Sequence, residues 1–163
     1  MAPQVRYSRR FPRFRVTILA KCVLYKATGS VRGWQGGLGT GLSIALGAKI
    51  ANPDTPVVCI IGDGAFNYAC FGFAQQHKTP SVMNNEGYVS QTWNFYKYFS
   101  AGTALAQQNT YGDVIDPRPD YQQLPKAWGG TGSRVSTEKE LEASLQAALA
   151  STGLSLIDVA MTP

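Results

Sequence analysis

Pro56-Val57-Val58-Cys59-Ile60-Ile61-Gly62-Asp63-Gly64 is the stretch that decides the fold class. Six residues in a row are apolar or nearly so, and the β-branched ones dominate. No alternation of polar and apolar positions interrupts them. Such a run fits a strand buried on both faces, as in a parallel sheet flanked by helices. The run stops at a glycine, an acid and a second glycine, so a carboxylate stands at the carboxyl end of a buried strand. In open α/β sheets that end is where ligands bind.

The pattern outward from this strand alternates. On its amino side, Gly36-Gly37-Leu38-Gly39-Thr40-Gly41 is a glycine turn, and Leu42, Leu46 and Ile50 follow at i, i+4 and i+8, one face of a helix. Asn52-Pro53-Asp54 stops it. On its carboxyl side, a helix is predicted over Phe66–Lys78, broken by Thr79-Pro80. A short strand, Ser81-Val82-Met83, then ends at Asn84-Asn85. The segment Tyr88–Gln108 reads as helix and loop, and Asp116–Asp120 as an irregular connector. A helix over Tyr121–Trp128 closes at Gly129-Gly130, and Gly132–Val135 is a short strand. Thr137 with Glu140 is a capping-box pattern that starts a helix over Glu138–Ala150. Leu154–Val159 is a last buried strand. The class is α/β, three-layer, with a mainly parallel sheet.

The net charge of +5 is unevenly placed. Residues 1–33 carry eight Lys/Arg and no acid, whereas residues 34–163 carry seven Lys/Arg and ten Asp/Glu. The body is mildly acidic, which argues against a nucleic-acid surface across the domain. The division is therefore a basic leader, 1–33, expected to be poorly ordered, and a domain, 34–163. Three readings of the leader stay open: an organellar transit peptide, a nucleic-acid or lipid-binding arm, or an N-terminus that merely precedes the domain. Three cysteines without metal-ligand spacing suit a reducing compartment. The expected location is cytoplasmic, with mitochondrial as the alternative that the leader raises. No apolar run approaches the ~18 residues of a membrane span.

The chemistry gathers at two strand ends. Asp63 and Asn84-Asn85 follow consecutive predicted strands, and glycines flank Asp63 so that a phosphate can approach the backbone. A carboxylate, a carboxamide oxygen and a backbone carbonyl are hard donors that suit Mg²⁺, which fills the rest of its octahedron with water and phosphate oxygens. Gly-Asp-Gly alone reads better as a tight turn at a strand end. Gly37-x-Gly39-x-Gly41 invites a dinucleotide reading, but no convincing strand precedes it and the spacing is wrong. His77, the sole histidine, is expected to be solvated. Trp93, Phe95, Tyr96, Tyr98 and Phe99 line a substrate pocket or pack in the core or a subunit interface.

Gly-Asp-Gly, an intervening helix and Asn-Asn together resemble the diphosphate-binding signature of thiamine-diphosphate enzymes. Gly36-Gly37-Leu38-Gly39, Gly62-Asp63-Gly64-Ala65-Phe66-Asn67-Tyr68 and Met83-Asn84-Asn85-Glu86-Gly87-Tyr88 look most like the benzoylformate decarboxylase and acetolactate synthase branch. The resemblance covers about residues 34–163. It implies thiamine diphosphate and Mg²⁺ as cofactors, with Asp63, Asn85 and the Gly87 carbonyl as metal ligands. Gly64, Ala65 and Asn84 would line the diphosphate, Gly62 and Tyr88 would also belong to the cofactor site, and Leu38 would support the bent cofactor. It further implies a 2-oxo-acid substrate, homo-oligomeric assembly and a second, pyrimidine-binding domain whose glutamate activates the cofactor. Nothing in this sequence matches that domain, so it is expected on another chain or a missing segment, and the chain alone is not expected to be catalytically competent. The alternative is a non-catalytic interaction module derived from the same domain.

One departure concerns length. Nineteen residues separate Gly64 from Asn84, fewer than is usual in the family. A helix of about 12 residues advances roughly 18 Å, and about five extended residues return roughly 16 Å. The path closes with little slack, and a very short strand is expected before Asn84.

Overall fold

The computed structural model describes residues 38–70, 80–84, 86–107 and 112–161. The leader, Gly36-Gly37, most of the helix predicted over Phe66–Lys78 with His77, and Asn85 lie outside the described residues.

Among the described residues four strands form one sheet: β1 (Cys59–Gly62), β2 (Pro80–Asn84), β3 (Thr131–Val135) and β4 (Ser155–Ala160). Their order is β1-β2-β4-β3, and every neighbouring pair is parallel. The α/β class with a parallel sheet is thus what the sequence predicts. The helices are α1 (Thr40–Ala51), α2 (Asp63–Asn67), α3 (Val89–Tyr98), α4 (Thr103–Ala106) and α5 (Glu138–Ala150), with a 3₁₀ helix over Tyr121–Trp128.

Strand register sorts the side chains to two faces. Ile61 pairs with Val82, Val82 with Asp158 and Asp158 with Arg134, so these positions share a face with Leu156 and Cys59. That face is covered by Leu42 and Ala45 of α1, by Phe66 of α2 and by Tyr121, in one apolar cluster. On the opposite face Ile157, Val159 and Val135 are buried, and α5 covers them with Leu141 and Ala148. Helix, sheet and helix make three layers. Cys59 is in the first of these cores, and burial pushes its thiol up to about 11, which keeps it protonated and inert.

Several local expectations need correction. The first strand begins at Cys59, three residues after the predicted Pro56. On α1 the buried residues are Leu42 and Ala45, while Ile50 is 72% exposed. The helix packs against β1, which is the edge strand among the described residues. The predicted Phe66–Lys78 helix instead starts at Asp63, and Tyr68 and Ala69 already form a turn. The strand before Asn84 is longer than expected, five residues, and pairs on both sides. Tyr121–Trp128 is 3₁₀ rather than α, with Pro125 inside it. Proline removes a donor and clashes with an α-helical carbonyl four residues back, which favours the tighter form.

The bounds of α5 are those predicted. The Thr137 hydroxyl accepts from the Glu140 N–H at 3.3 Å, and Glu140 Oε2 accepts from the Thr137 N–H at 3.1 Å and the Ser136 N–H at 2.8 Å. The Ser136 and Thr137 donors hold the Glu140 carboxyl below its ordinary range. Its contribution is therefore present above the ordinary glutamate pKa and is lost as pH falls through the lower folded value. Thr137→Ala should cost ~1 kcal/mol, read as a lower urea midpoint with unchanged slope.

Candidate functional site

The carboxyl ends of β1 and β2 lie side by side, so the turn leaving one strand meets the turn leaving the other. Asp63, the first residue of α2, is only 2% exposed. Its Oδ1 accepts from the Gly64 N–H at 2.8 Å and its Oδ2 from the Gly87 N–H at 3.0 Å. The second bond joins the Gly-Asp-Gly turn to the turn after β2, 24 residues away.

The second turn is built to deliver that N–H. Asn84, 5% exposed, ends β2, and its Oδ1 accepts from the Glu86 N–H at 3.0 Å. Glu86 has φ 65°, a left-handed conformation that side-chain-bearing residues adopt rarely. Gly87 then makes an antiparallel bridge with Val114. The Tyr88 N–H donates to the Asp113 carbonyl at 2.7 Å, and the Ile115 N–H donates to the Glu86 carbonyl at 3.3 Å. A Cβ on Gly87 would overlap the Asp113 carbonyl oxygen. This close backbone approach is the reason a glycine is required. Gly87→Ala should weaken any ligand held by this turn tenfold or more and cost about 1–3 kcal/mol. An unchanged dissociation constant and urea midpoint would show that Asp113 yields freely.

Tyr88 packs over the first turn. A Cβ on Gly64 would stand 2.5 Å from Tyr88 Cε1, and the Tyr68 ring meets Tyr88 edge-on at 6.3 Å. Burial first, then Tyr68 and Asp63, raise the Tyr88 phenol above its ordinary pKa, so it remains a hydroxyl donor at neutral pH. Behind α2, Tyr121 is buried against Phe66, ring centroids 5.6 Å apart and nearly perpendicular. Its hydroxyl donates to Asn67 Oδ1 at 3.0 Å, and burial is the main cause that pushes its pKa up to about 12. The 3₁₀ helix thus braces, through Tyr121, the helix that carries Asp63.

The structure brings together Gly62, Asp63, Gly64, Ala65, Asn84, Gly87 and Tyr88. Leu38 is 43% exposed just before α1. Asn85 lies outside the described residues. Of the α3 aromatics and the residue after them, Trp93, Tyr96, Tyr98 and Phe99 are exposed, which removes the core-packing option for these four. No group of three or more His, Cys, Asp or Glu that could hold a metal occurs among the described residues. A single buried carboxylate, Asp63, beside backbone carbonyls suits a Mg²⁺ that arrives with a diphosphate and does not make an all-protein cage. Among the described residues no helix is long and apolar enough to cross a membrane.

Residues 18–159 match the family described as "Thiamine pyrophosphate enzyme, C-terminal TPP binding domain". The chain belongs to this family. Among its relatives are the acetolactate synthase large subunit of Cyanidium caldarium, 33% identical over 132 residues, and the benzoylformate decarboxylase of Pseudomonas aeruginosa, 34% identical over 129. Each alignment takes in 76% of this chain but only 21% and 23% of the relative. The solved thiamine diphosphate-dependent 4-hydroxybenzoylformate decarboxylase of Rhodococcus jostii RHA1 superposes with a TM-score of 0.67 at 30% identity, over 78% of this chain and 24% of that one. The chain therefore spans about a fifth to a quarter of the relatives it matches.

Sequence reasoning missed the ring of residues behind the family motif: Asp113, Tyr121, Arg118, Arg134 and Asp158. One signal was visible. Asp158 is a carboxylate within a strand predicted to be buried throughout.

Proposed function

We propose that this chain is the diphosphate-binding half of a Mg²⁺- and thiamine-diphosphate-dependent site of the acetolactate synthase or benzoylformate decarboxylase kind. The observation that carries this reading is the bond from the Gly87 N–H to the buried Asp63 carboxylate. It couples two turns that the family motif separates in sequence. Asp63, the Asn85 carboxamide and the Gly87 carbonyl would hold the metal. Gly64, Ala65 and Asn84 would line the diphosphate, Gly62 and Tyr88 would also belong to the cofactor site, and Leu38 would support the cofactor's bend. When bound, the cofactor supplies a nucleophilic thiazolium carbon for a 2-oxo acid and an electron sink for decarboxylation. The chain's own part is to hold the metal ion that would neutralise the diphosphate, to orient the diphosphate, and to keep a phenol donor in place at Tyr88. A pyrimidine-binding domain would complete the site in an oligomer.

The test is thermal. Mg²⁺ and thiamine diphosphate together should raise the melting temperature of the full chain, and either alone should do much less. Ligand at 100 times its dissociation constant stabilises by ~2.7 kcal/mol, a shift of several degrees. No joint shift at millimolar ligand would overturn the reading. A second reading is a non-catalytic interaction module. It draws on Glu86, the only glutamate before Glu138, whose carboxylate is held by Arg118 at 2.8 Å rather than free to activate a ring. Turnover of pyruvate or benzoylformate by the purified chain would exclude it.

A further inference from the structure

Two carboxylates and two guanidiniums lie behind the second turn, and the proposed cofactor site uses none of them. Glu86 sits in its left-handed conformation with Arg118 Nη1 at 2.8 Å and Arg134 Nη2 at 3.8 Å from its carboxylate. Arg134 reaches the other way as well, with Nη1 at 3.5 Å from Asp158 Oδ2. Asp158 is fully buried; burial disfavours its charge, the Asn84 carboxamide and the Arg134 guanidinium are the groups that favour it, and neither oxygen makes a well-aligned hydrogen bond among the described residues. Register places it beside Arg134 on β3 and one position before Val159, in the strand that also bonds the end of β2 through the Met161 N–H and the Asn84 carbonyl.

A buried carboxylate is costly without a nearby cation. Here the cation comes from a side chain whose fork is wide enough to face two acids at once. Asp158 fixes one end of the Arg134 guanidinium within the fold, and the other end is left facing Glu86. A conformation that sterics disfavour persists only where its surroundings over-determine it. At Glu86 those surroundings are the Asn84 carboxamide, the Ile115 N–H and the two arginines.

We propose that Arg134 is a positioning residue of the diphosphate turn: anchored on Asp158, it holds Glu86 left-handed and so aims the Gly87 N–H at Asp63. The inference rests on the cofactor reading of that turn. It separates two roles of one side chain, neutralising Asp158 for stability and holding Glu86 for the site.

The test uses the full chain carrying Arg134→Met alone, or Arg134→Met with Asp158→Asn. Three quantities are read: the ligand-free melting temperature, the dissociation constant for Mg²⁺ with thiamine diphosphate, and ligand-free amide exchange at Gly87. Arg134→Met should lower the melting temperature and weaken binding about tenfold. Adding Asp158→Asn should restore most of the melting temperature, because no buried charge then lacks its cation. Binding should stay about tenfold weak, and the Gly87 amide should exchange faster than in the wild type. Recovery of wild-type binding and exchange in the double variant would overturn the proposal, since Arg134 would then serve Asp158 alone. If the double variant does not fold, Arg134→Lys decides, because it keeps a cation for Asp158 but lacks the fork that faces two acids: about tenfold weaker binding supports the proposal and unchanged binding overturns it. A wild-type chain that binds no Mg²⁺ and thiamine diphosphate would remove the cofactor reading and this inference with it. That outcome differs from wild-type binding combined with an indifferent Arg134.

Discussion

Asp63→Ala should abolish the joint stabilisation by Mg²⁺ and thiamine diphosphate and lower the stability of the ligand-free chain as well. The two losses have different causes. The carboxylate is 2% exposed and accepts backbone N–H bonds from Gly64 and Gly87. Truncation leaves both donors without that acceptor, and each unsatisfied buried group costs about 1–3 kcal/mol. The Gly87 bond also joins the two turns, so its loss frees the second turn to move from the first. Asp63→Asn separates the effects. It keeps one acceptor oxygen, so part of the ligand-free stability should return. It lacks the charge that a divalent ion requires, and its amide nitrogen would face one of the N–H donors. Binding should therefore remain at least tenfold weaker than in the wild type. A wild-type melting shift in Asp63→Ala would place the ligand elsewhere on the chain.

What was legible in the sequence depended on how local the determining forces are. The capping box at Thr137 and Glu140 spans four residues, and helix α5 has the bounds that pattern predicts. Strand β1 was visible as an unbroken apolar run, but the two-face burial that run predicts is not met: Cys59 and Ile61 are buried on one face, Ile60 is half-buried on the other and Val58 is exposed. The α1 face was read only in part. Spacing selected Ile50, which is exposed, while the small Ala45 is buried instead. The meeting of Asp63 with the turn after Asn84 came from adjacent strand ends, a topological rule that a motif can signal. The Arg118–Glu86–Arg134–Asp158 chain came from nothing local. It depends on β3 lying beside β4 with Arg134 in register with Asp158. Sequence spacing carries no information about that register. Glu86 in the left-handed region is likewise a consequence of tertiary contacts that override its own preference.

Gly132→Ala should be strongly destabilising, although it lies outside the cofactor turns. Gly132 is in β3, paired with Leu156, and the backbone of the 3₁₀ helix passes directly over it. A Cβ there would overlap the Gln122 carbonyl oxygen and stand 2.7 Å from the Gln122 carbonyl carbon and 2.8 Å from its Cα. Carbon atoms in contact prefer about 3.5–4.0 Å. The obstruction is backbone, so no rotamer change relieves it. Either β3 moves away from β4 or the 3₁₀ helix lifts. Lifting would pull on Tyr121, whose ring packs on Phe66 and whose hydroxyl bonds Asn67 at the end of the helix that starts with Asp63. A loss of ~3 kcal/mol is expected, read from the urea midpoint, together with a smaller joint shift from Mg²⁺ and thiamine diphosphate. Gly47→Ala in α1 is the control, because nothing lies within 4 Å of a Cβ at that exposed position. There the helix should gain up to ~1 kcal/mol from the better helix former. If both alanines left the midpoint where it is, the close seat of the 3₁₀ helix on β3 would be refuted. The brace from Tyr121 to the Asp63 helix would then need another support.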